Sequence, residues 1–144
     1  MEEIQFIEKG ESKNCLLLIH GFCSDPEDLK DQIKFFCADY TVLVPNLRGH
    51  DGNNHKNRPM SIEQLSNDCV TILNKKSFNR VVIAGHSMGT RLAIDIASKI
   101  KNAAGLILVD GSRFCDYEEY FEVLSNFENS FKQNNYQSLL KNMF

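Results

Sequence analysis

The stretch V-V-I-A-G-H-S-M-G-T, from Val81 to Thr90, carries the strongest structural signal in this chain of 144 residues. Four apolar residues run directly into Gly85-His86-Ser87-Met88-Gly89, and a helical pattern follows. Short apolar runs with turn-forming flanks are typical of strands buried on both faces of a parallel sheet. The stretch therefore predicts a strand that turns abruptly into a helix, with Ser87 at the turn.

The G-x-S-x-G spacing around this serine has a steric reason. A nucleophile elbow is a tight strand-to-helix turn with strained backbone at the serine, and the residues two before and two after must be small. Gly85 and Gly89 meet that requirement. The turn lifts the Ser87 hydroxyl above the sheet and directs the Met88 N–H, at the helix start, towards a developing oxyanion. The alternative is a tight turn in which Ser87 only caps the helix.

Apolar runs and helical patterns alternate through most of the chain. The other continuous apolar runs are Cys15–Ile19, Thr41–Val44 and Gly105–Val109. Helix starts are indicated at Asp25-Pro26-Glu27-Asp28, with an N-cap before a proline, and at Ser61-Ile-Glu-Gln64, a capping box. Strand–helix–strand repetition specifies parallel strands with right-handed crossovers. The sequence thus predicts an α/β fold of three layers, α/β/α, with a mostly parallel sheet.

A second motif, Leu18-Ile19-His20-Gly21-Phe22, ends the first long apolar run. A strand that closes on His-Gly places flexible backbone at the carboxyl edge of the sheet, where the Phe22 N–H is a candidate second oxyanion donor. Acyl transfer needs two such donors, each typically contributing ~3 kcal/mol to transition-state stability. The alternative is a simple exit from strand to loop.

With these motifs the chain resembles the α/β-hydrolase family, close to its small cofactor-free esterases and lipase-like enzymes. The matching segments, in the family's order, are L-L-L-I-H-G-F, V-P-N-L-R-G-H, S-I-E-Q-L, V-V-I-A-G-H-S-M-G and L-I-L-V-D-G-S. The resemblance implies that Ser87 is the nucleophile and that the Phe22 and Met88 N–H groups form the oxyanion hole. The implied substrate is a carboxylic ester or related acyl compound, attacked through a Ser87 acyl-enzyme without a cofactor. Residues 1–115 are then the core, and 116–144 begin a helical cap.

One loop departs from the family pattern D-x-R-G-x-G-x-S. It reads Asn46-Leu-Arg48-Gly49-His50-Asp51-Gly52-Asn53, so we expect an altered loop shape and not a loss of chemistry. The spacing His50-Asp51-x-x-x-His55 is compatible with a metal site. A solvent-exposed loop is the favoured interpretation, and we expect no metal there.

The sequence contains no histidine in the position where the family has the general base for Ser87. The histidines are His20, His50, His55 and His86, and none follows the serine motif, whereas the family orders its triad as serine, acid, histidine. The two closing strands that carry the acid and the histidine have no counterpart, so we expect an N-terminal portion or a truncated descendant that is inactive alone. Only His50 and His55 have the reach to substitute as base. Asp110 is either the triad acid or a turn aspartate.

Composition restricts the partners. A formal net charge of −3 and a pI near 5.8 give no basic surface for nucleic acid. Five scattered cysteines favour reduced thiols in a cytoplasmic protein, and neither a transmembrane run nor a signal peptide is found. The expected partner is a small acyl or ester substrate. The rival function is a non-catalytic module that binds small molecules in the retained pocket.

The run Gly105–Val109 is expected to be the terminal strand of this chain's sheet. It is apolar on both faces and carries no lysine, proline or bulge signal that protects an edge. We therefore expect self-association through this edge, relieved in a version extended by the closing strands.

Overall fold

The computed structural model describes residues 4–50 and 61–111. Its strands are β1 (Phe6–Lys9), β2 (Asn14–Ile19), β3 (Thr41–Pro45), β4 (Arg80–His86) and β5 (Ala103–Val109). Its helices are a 3-10 turn (Pro26–Leu29), α1 (Lys30–Phe36), α2 (Ile62–Asn74) and α3 (Met88–Lys99).

The five strands form one sheet in the order β1-β3-β2-β4-β5. Strands β3, β2, β4 and β5 are parallel, while β1 runs antiparallel to β3 at one edge. In the central pair, Leu18 lies opposite Ala84 and Ile19 opposite Gly85. This register brings the carboxyl ends of β2 and β4 side by side.

The alternating side chains of β2 divide the core into two layers. Leu17 and its same-face neighbours pack with α2 and α3, whereas Leu16 and Leu18 pack with Ile33 of α1 on the opposite face. Successive side chains of a strand point to opposite faces, so a continuous apolar run requires cover on both. The predicted three-layer α/β/α fold is confirmed.

The predicted helix starts are also found. Asp25 accepts a hydrogen bond from the Glu27 N–H at 2.7 Å, and this cap begins the 3-10 turn that leads into α1. The Ser61 hydroxyl accepts one from the Gln64 N–H at 3.2 Å at the start of α2. Such caps satisfy N–H groups that the first helical turn leaves without intrahelical partners.

Strand β5 corrects two expectations. Its predicted burial on both faces is wrong, because every residue from Ala103 to Val109 is exposed; within the described chain β5 pairs with β4 alone. Its edge is also not regular. Val81 pairs with Ala103 but Val82 pairs with Gly105, so one residue of β5 forms a bulge that the sequence did not signal.

The first compact unit of the chain is Met1–Gly111, close to the core expected over residues 1–115. The cap segment expected over residues 116–144 lies outside the described residues, so this division stays a prediction. Among the helices of the described ranges, none is both long and apolar enough to cross a membrane.

Candidate active site

Ser87 occupies the turn between β4 and α3 with a φ of 51° and a ψ of −118°. A positive φ is costly for a residue with a Cβ, and it persists only where the surrounding structure imposes it. Here the Ser87 N–H donates to the Val109 carbonyl at 2.9 Å, and the Ser87 carbonyl accepts from the Thr90 hydroxyl at 2.7 Å. The Ser87 side chain makes no capping bond to α3, unlike the alternative of a simple N-cap. The predicted strand-to-helix turn is confirmed.

The two flanking glycines sit where no larger residue fits. A Cβ on Gly85 would overlap the carbonyl of Gly89. A Cβ on Gly89 would in turn lie 2.8 Å from the carbonyl oxygen of His20 and closer still to that of Ile19. The crowding expected around Ser87 is therefore backbone against backbone.

The His20-Gly21-Phe22 segment lies against this turn. A Cβ on Gly21 would be 3.1 Å from the Cβ of Ser87, so the two chain segments touch. From this point β2 leads to α1 on one face of the sheet, while β4 leads to α3 on the other. In open α/β sheets such a divergence opens a crevice at the carboxyl ends of the strands, where ligands bind.

His20 is fully buried and both ring nitrogens are engaged. Its Nε2 accepts from the Leu47 N–H at 3.3 Å, so the proton is on Nδ1, which donates to the Gly21 carbonyl at 3.0 Å. Burial lowers the pKa of His20, because the charged ring is poorly solvated there. This histidine fixes the loop and has no lone pair left for Ser87.

The loop after β3, where the sequence departs from the family pattern, is held at several points. Arg48 forms a two-pronged ion pair with Asp68 of α2, at 2.7 and 3.1 Å, and both side chains are largely buried. The Asn46 N–H donates to the Gln5 carbonyl at 2.8 Å. At the end of the described loop, His50 packs edge-on against His20, with 5.3 Å between ring centroids.

Within the described ranges, no histidine is hydrogen-bonded to the Ser87 hydroxyl. His86 precedes Ser87 directly, and His50 contacts His20 and Phe22. His55, the other candidate base, lies outside the described residues. Asp110 follows β5 with a φ of 50°, beside the Val109 carbonyl that holds Ser87. Residues 4–50 and 61–111 contain no group of three acidic, histidine or cysteine side chains arranged to hold a metal ion.

Residues 14–142 match the sequence profile of the alpha/beta hydrolase fold family. The chain belongs to the alpha/beta hydrolase fold family. The resemblance inferred from the sequence motifs is thereby confirmed, together with the fold class.

Relatives within the alpha/beta hydrolase fold family include hydrolases. A thermophilic esterase from Thermogutta terrifontis is 27% identical, and the match covers 97% of this chain and 52% of the esterase with a TM-score of 0.84. An esterase/lipase-like protein of Haemophilus influenzae is 28% identical over 83 residues, 58% of this chain and 29% of that protein. Epoxide hydrolase 3 of Xenopus tropicalis is 27% identical over 119 residues, 78% of this chain and 32% of the relative. The chain thus spans about a third of the length of the curated relatives it matches.

Three contributors to this hydrolase-fold site were missed by sequence reasoning. The Val109 carbonyl and the Thr90 hydroxyl both hold the Ser87 backbone, and Asp68 anchors the loop that carries Arg48. Every residue has a backbone carbonyl, so the sequence does not mark the role of Val109. A threonine in the first turn of a helix is common, so Thr90 does not stand out either. Asp68 lies on α2, where an acidic residue among polar neighbours gives no sign of its distant partner Arg48.

Proposed function

We propose that this chain carries the nucleophile and the oxyanion hole of a serine hydrolase that acts on a carboxylic ester or related acyl compound. The observation that supports the proposal most is the backbone of Ser87, held at positive φ between β4 and α3 with its hydroxyl unused in capping. A serine at positive φ in a tight strand-to-helix turn, with a side chain that does not cap the helix, is characteristic of a nucleophile elbow.

In the proposed reaction the Ser87 Oγ forms a bond to the ester carbonyl carbon, and the carbonyl π electrons move onto oxygen. The Oγ proton passes to a general base. Collapse of this intermediate breaks the bond to the leaving alcohol, which takes the proton, and water later hydrolyses the acyl-enzyme by the same steps. No cofactor or metal is needed for these steps.

The Met88 N–H and the Phe22 N–H are the proposed donors to the oxyanion. Met88 is the first residue of α3, where N–H groups lack intrahelical acceptors and the helix dipole favours negative charge. Phe22 follows Gly21, whose backbone touches the Ser87 side chain. Loss of one such donor typically costs about 3 kcal/mol of transition-state stabilisation.

The general base proposed for Ser87 is a group other than His20. His20 is excluded because both its nitrogens are bonded to backbone groups. The rival function, a non-catalytic module that binds small molecules, is favoured by one observation: no histidine of the described ranges is hydrogen-bonded to Ser87.

We also infer a reducing, cytoplasmic location. The four described cysteines, at positions 15, 23, 37 and 69, are free thiols. Proteins of oxidising compartments tend to pair their cysteines in disulfides.

The experiment that tests the proposal adds imidazole to the solution as a general base. Incubation with p-nitrophenyl acetate and imidazole should leave an acetyl group on Ser87, detected by mass spectrometry of the peptide. The Ser87→Ala variant should show no adduct there, and Ser98→Ala, which removes an exposed hydroxyl bonded to Asp95, should label like the wild type. A folded chain with no adduct at Ser87 would contradict the hydrolase proposal and support the binding module.

A further inference from the structure

The two ring nitrogens of His20 hold two different backbone segments. Nε2 accepts a hydrogen bond from the Leu47 N–H at 3.3 Å, in the loop after β3, so this nitrogen carries no proton. The proton is therefore on Nδ1, which donates to the Gly21 carbonyl at 3.0 Å at the end of β2. One bond anchors the ring to the loop, and the other acts on the peptide unit that follows Gly21.

The Gly21 carbonyl and the Phe22 N–H belong to the same peptide unit. This peptide bond is trans, so the two groups lie in one plane and point in opposite directions. A hydrogen bond that fixes the direction of the carbonyl therefore also fixes the direction of the N–H. Since the carbonyl points to the buried ring of His20, the Phe22 N–H points away from that ring.

Gly21 explains why this peptide unit needs a restraint. A Cβ at this position would lie 3.1 Å from the Cβ of Ser87 and 3.2 Å from Nδ1 of His86, so the close approach to the turn favours glycine. Glycine, however, adopts more backbone conformations than any other residue, and the peptide unit beside it rotates more easily. The contact with Ser87 thus requires a residue whose own backbone does not determine where the next N–H points.

The ring of His20 is itself held in place, so it provides a fixed donor. The ring is fully buried, and so is Leu47, whose N–H it accepts. The ring of His50 packs edge-on against it, with 5.3 Å between the centroids. A side chain restrained on these sides transmits the position of the loop after β3 to the Gly21 carbonyl.

We propose that His20 is the positioning residue of the oxyanion hole, and that its Nδ1–H directs the Phe22 N–H towards the carbonyl oxygen of a substrate on Ser87. This inference rests on the proposed function, because an oxyanion forms only when Ser87 attacks a carbonyl carbon. His20 acts through the peptide unit and transfers no proton in the reaction. Its contribution is preorganisation, since a donor already in place needs no reorganisation as negative charge develops.

Two variants of His20 separate its two hydrogen bonds. His20→Asn places an amide N–H where the Nδ1–H lies, so it can still donate to the Gly21 carbonyl, but it is too short to reach Leu47. His20→Gln places an amide oxygen near the position of Nε2, so it can accept from the Leu47 N–H, but it has no donor at the position of Nδ1. A positioning role requires the first bond, whereas a role in anchoring the loop requires the second.

Two measurements on the full chain compare these variants. Residual dipolar couplings of the backbone amides report the direction of the Phe22 N–H, and mass spectrometry follows the rate of Ser87 acetylation by p-nitrophenyl acetate with added imidazole. His20→Asn should resemble the wild type in both. His20→Gln should change the Phe22 coupling and slow acetylation about 100-fold, the usual effect of losing one oxyanion donor. Ile72→Val, a buried substitution on α2, controls for reduced stability alone and should resemble the wild type.

The wild-type chain also provides a test that needs no variant. Long-range proton–nitrogen NMR spectra should show His20 with a proton on Nδ1 and none on Nε2; the opposite tautomer would overturn the inference even if both His20 variants fail to fold. Equal effects of the two variants, or a larger effect of His20→Asn, would overturn it as well, because His20 would then act through Leu47. Absence of acetylation in the wild type would instead contradict the proposed function, and the Phe22 couplings would still decide whether His20 orients the peptide unit.

Discussion

Gly85 lies so close beneath Gly89 that even one methyl group on Gly85 would overlap the Gly89 carbonyl. The overlap is with main chain, so no side-chain rotation relieves it. We expect Gly85→Ala to lower the free energy of unfolding by about 1–3 kcal/mol, the usual cost of overpacking. Urea denaturation followed by circular dichroism measures the difference.

Gly105 on β5 provides the matched control for this substitution. A Cβ there would meet only Val82 methyl groups at 3.7 Å, an ordinary contact. Gly105→Ala should therefore change the free energy of unfolding by no more than about 1 kcal/mol in either direction. Equal losses from the two alanine variants would show that the Gly85–Gly89 contact is not what restricts the turn.

Ester turnover by this chain without added base should barely exceed that of Ser87→Ala. A serine hydroxyl is a weak nucleophile at neutral pH unless a base removes its proton. Initial rates with p-nitrophenyl acetate, compared between the wild type and Ser87→Ala, measure this. Robust turnover that His50→Ala or His55→Ala abolishes would contradict the expectation and make that histidine the base.

Acidification should destabilise the fold through His20. Burial lowers the pKa of His20 in the folded chain below the ordinary value of 6.5. Between the two pKa values, the unfolded chain therefore binds a proton at His20 that the folded chain does not bind. The stability from the neutral ring is complete above pH 6.5 and declines as the pH falls through and below that value. Urea midpoints measured across this range should fall with pH, and less steeply in His20→Gln. Identical slopes in the two proteins would refute the role of His20.

Self-association is proposed to use the exposed strand β5. Leu106 is 42% exposed and Ile107 is 49% exposed, beside unpaired backbone groups of the described edge. Such an edge is a template for strand pairing between molecules. Light scattering coupled to size exclusion should show oligomers that dissociate in Ile107→Lys.

Ile94 provides the control for this experiment, because it is an isoleucine of similar exposure (42% against 49% for Ile107) on helix α3. Ile94→Lys should leave the oligomers intact. A wild-type chain that stays monomeric at high concentration would show that the β5 edge is protected.

The main features of the fold were predictable because local chemistry and long-range packing agree. The β2 run Cys15–Ile19 needs cover on both faces, and Asp25 and Ser61 begin helices that provide it. Gly85 and Gly89 are required by the tight turn at Ser87, because a Cβ on either one would overlap backbone atoms. For the buried strand, the helix starts and the turn at Ser87, the local sequence pattern and the packing in the fold therefore require the same structure.

Other features depend on partners that sequence spacing does not reveal. Leu106 reads as a core residue, yet its burial depends on what covers β5, and in this structure it is exposed. The Arg48–Asp68 ion pair joins a loop to a helix face, and its two residues share no local pattern. Strand β1 runs antiparallel along β3, a pairing that its short, mixed sequence does not predict.

The position of β2 in the sheet also determines when Ser87 can meet Gly21. One edge of β2 pairs with β3, which follows β2 closely in the sequence. The other edge pairs with β4, which begins much later, at Arg80. Such a non-local pairing carries a large loop-closure entropy and slows folding. During synthesis the N-terminal strands therefore emerge with one apolar edge of β2 unpaired, and the crevice between β2 and β4 is assembled only after Ser87 has left the ribosome.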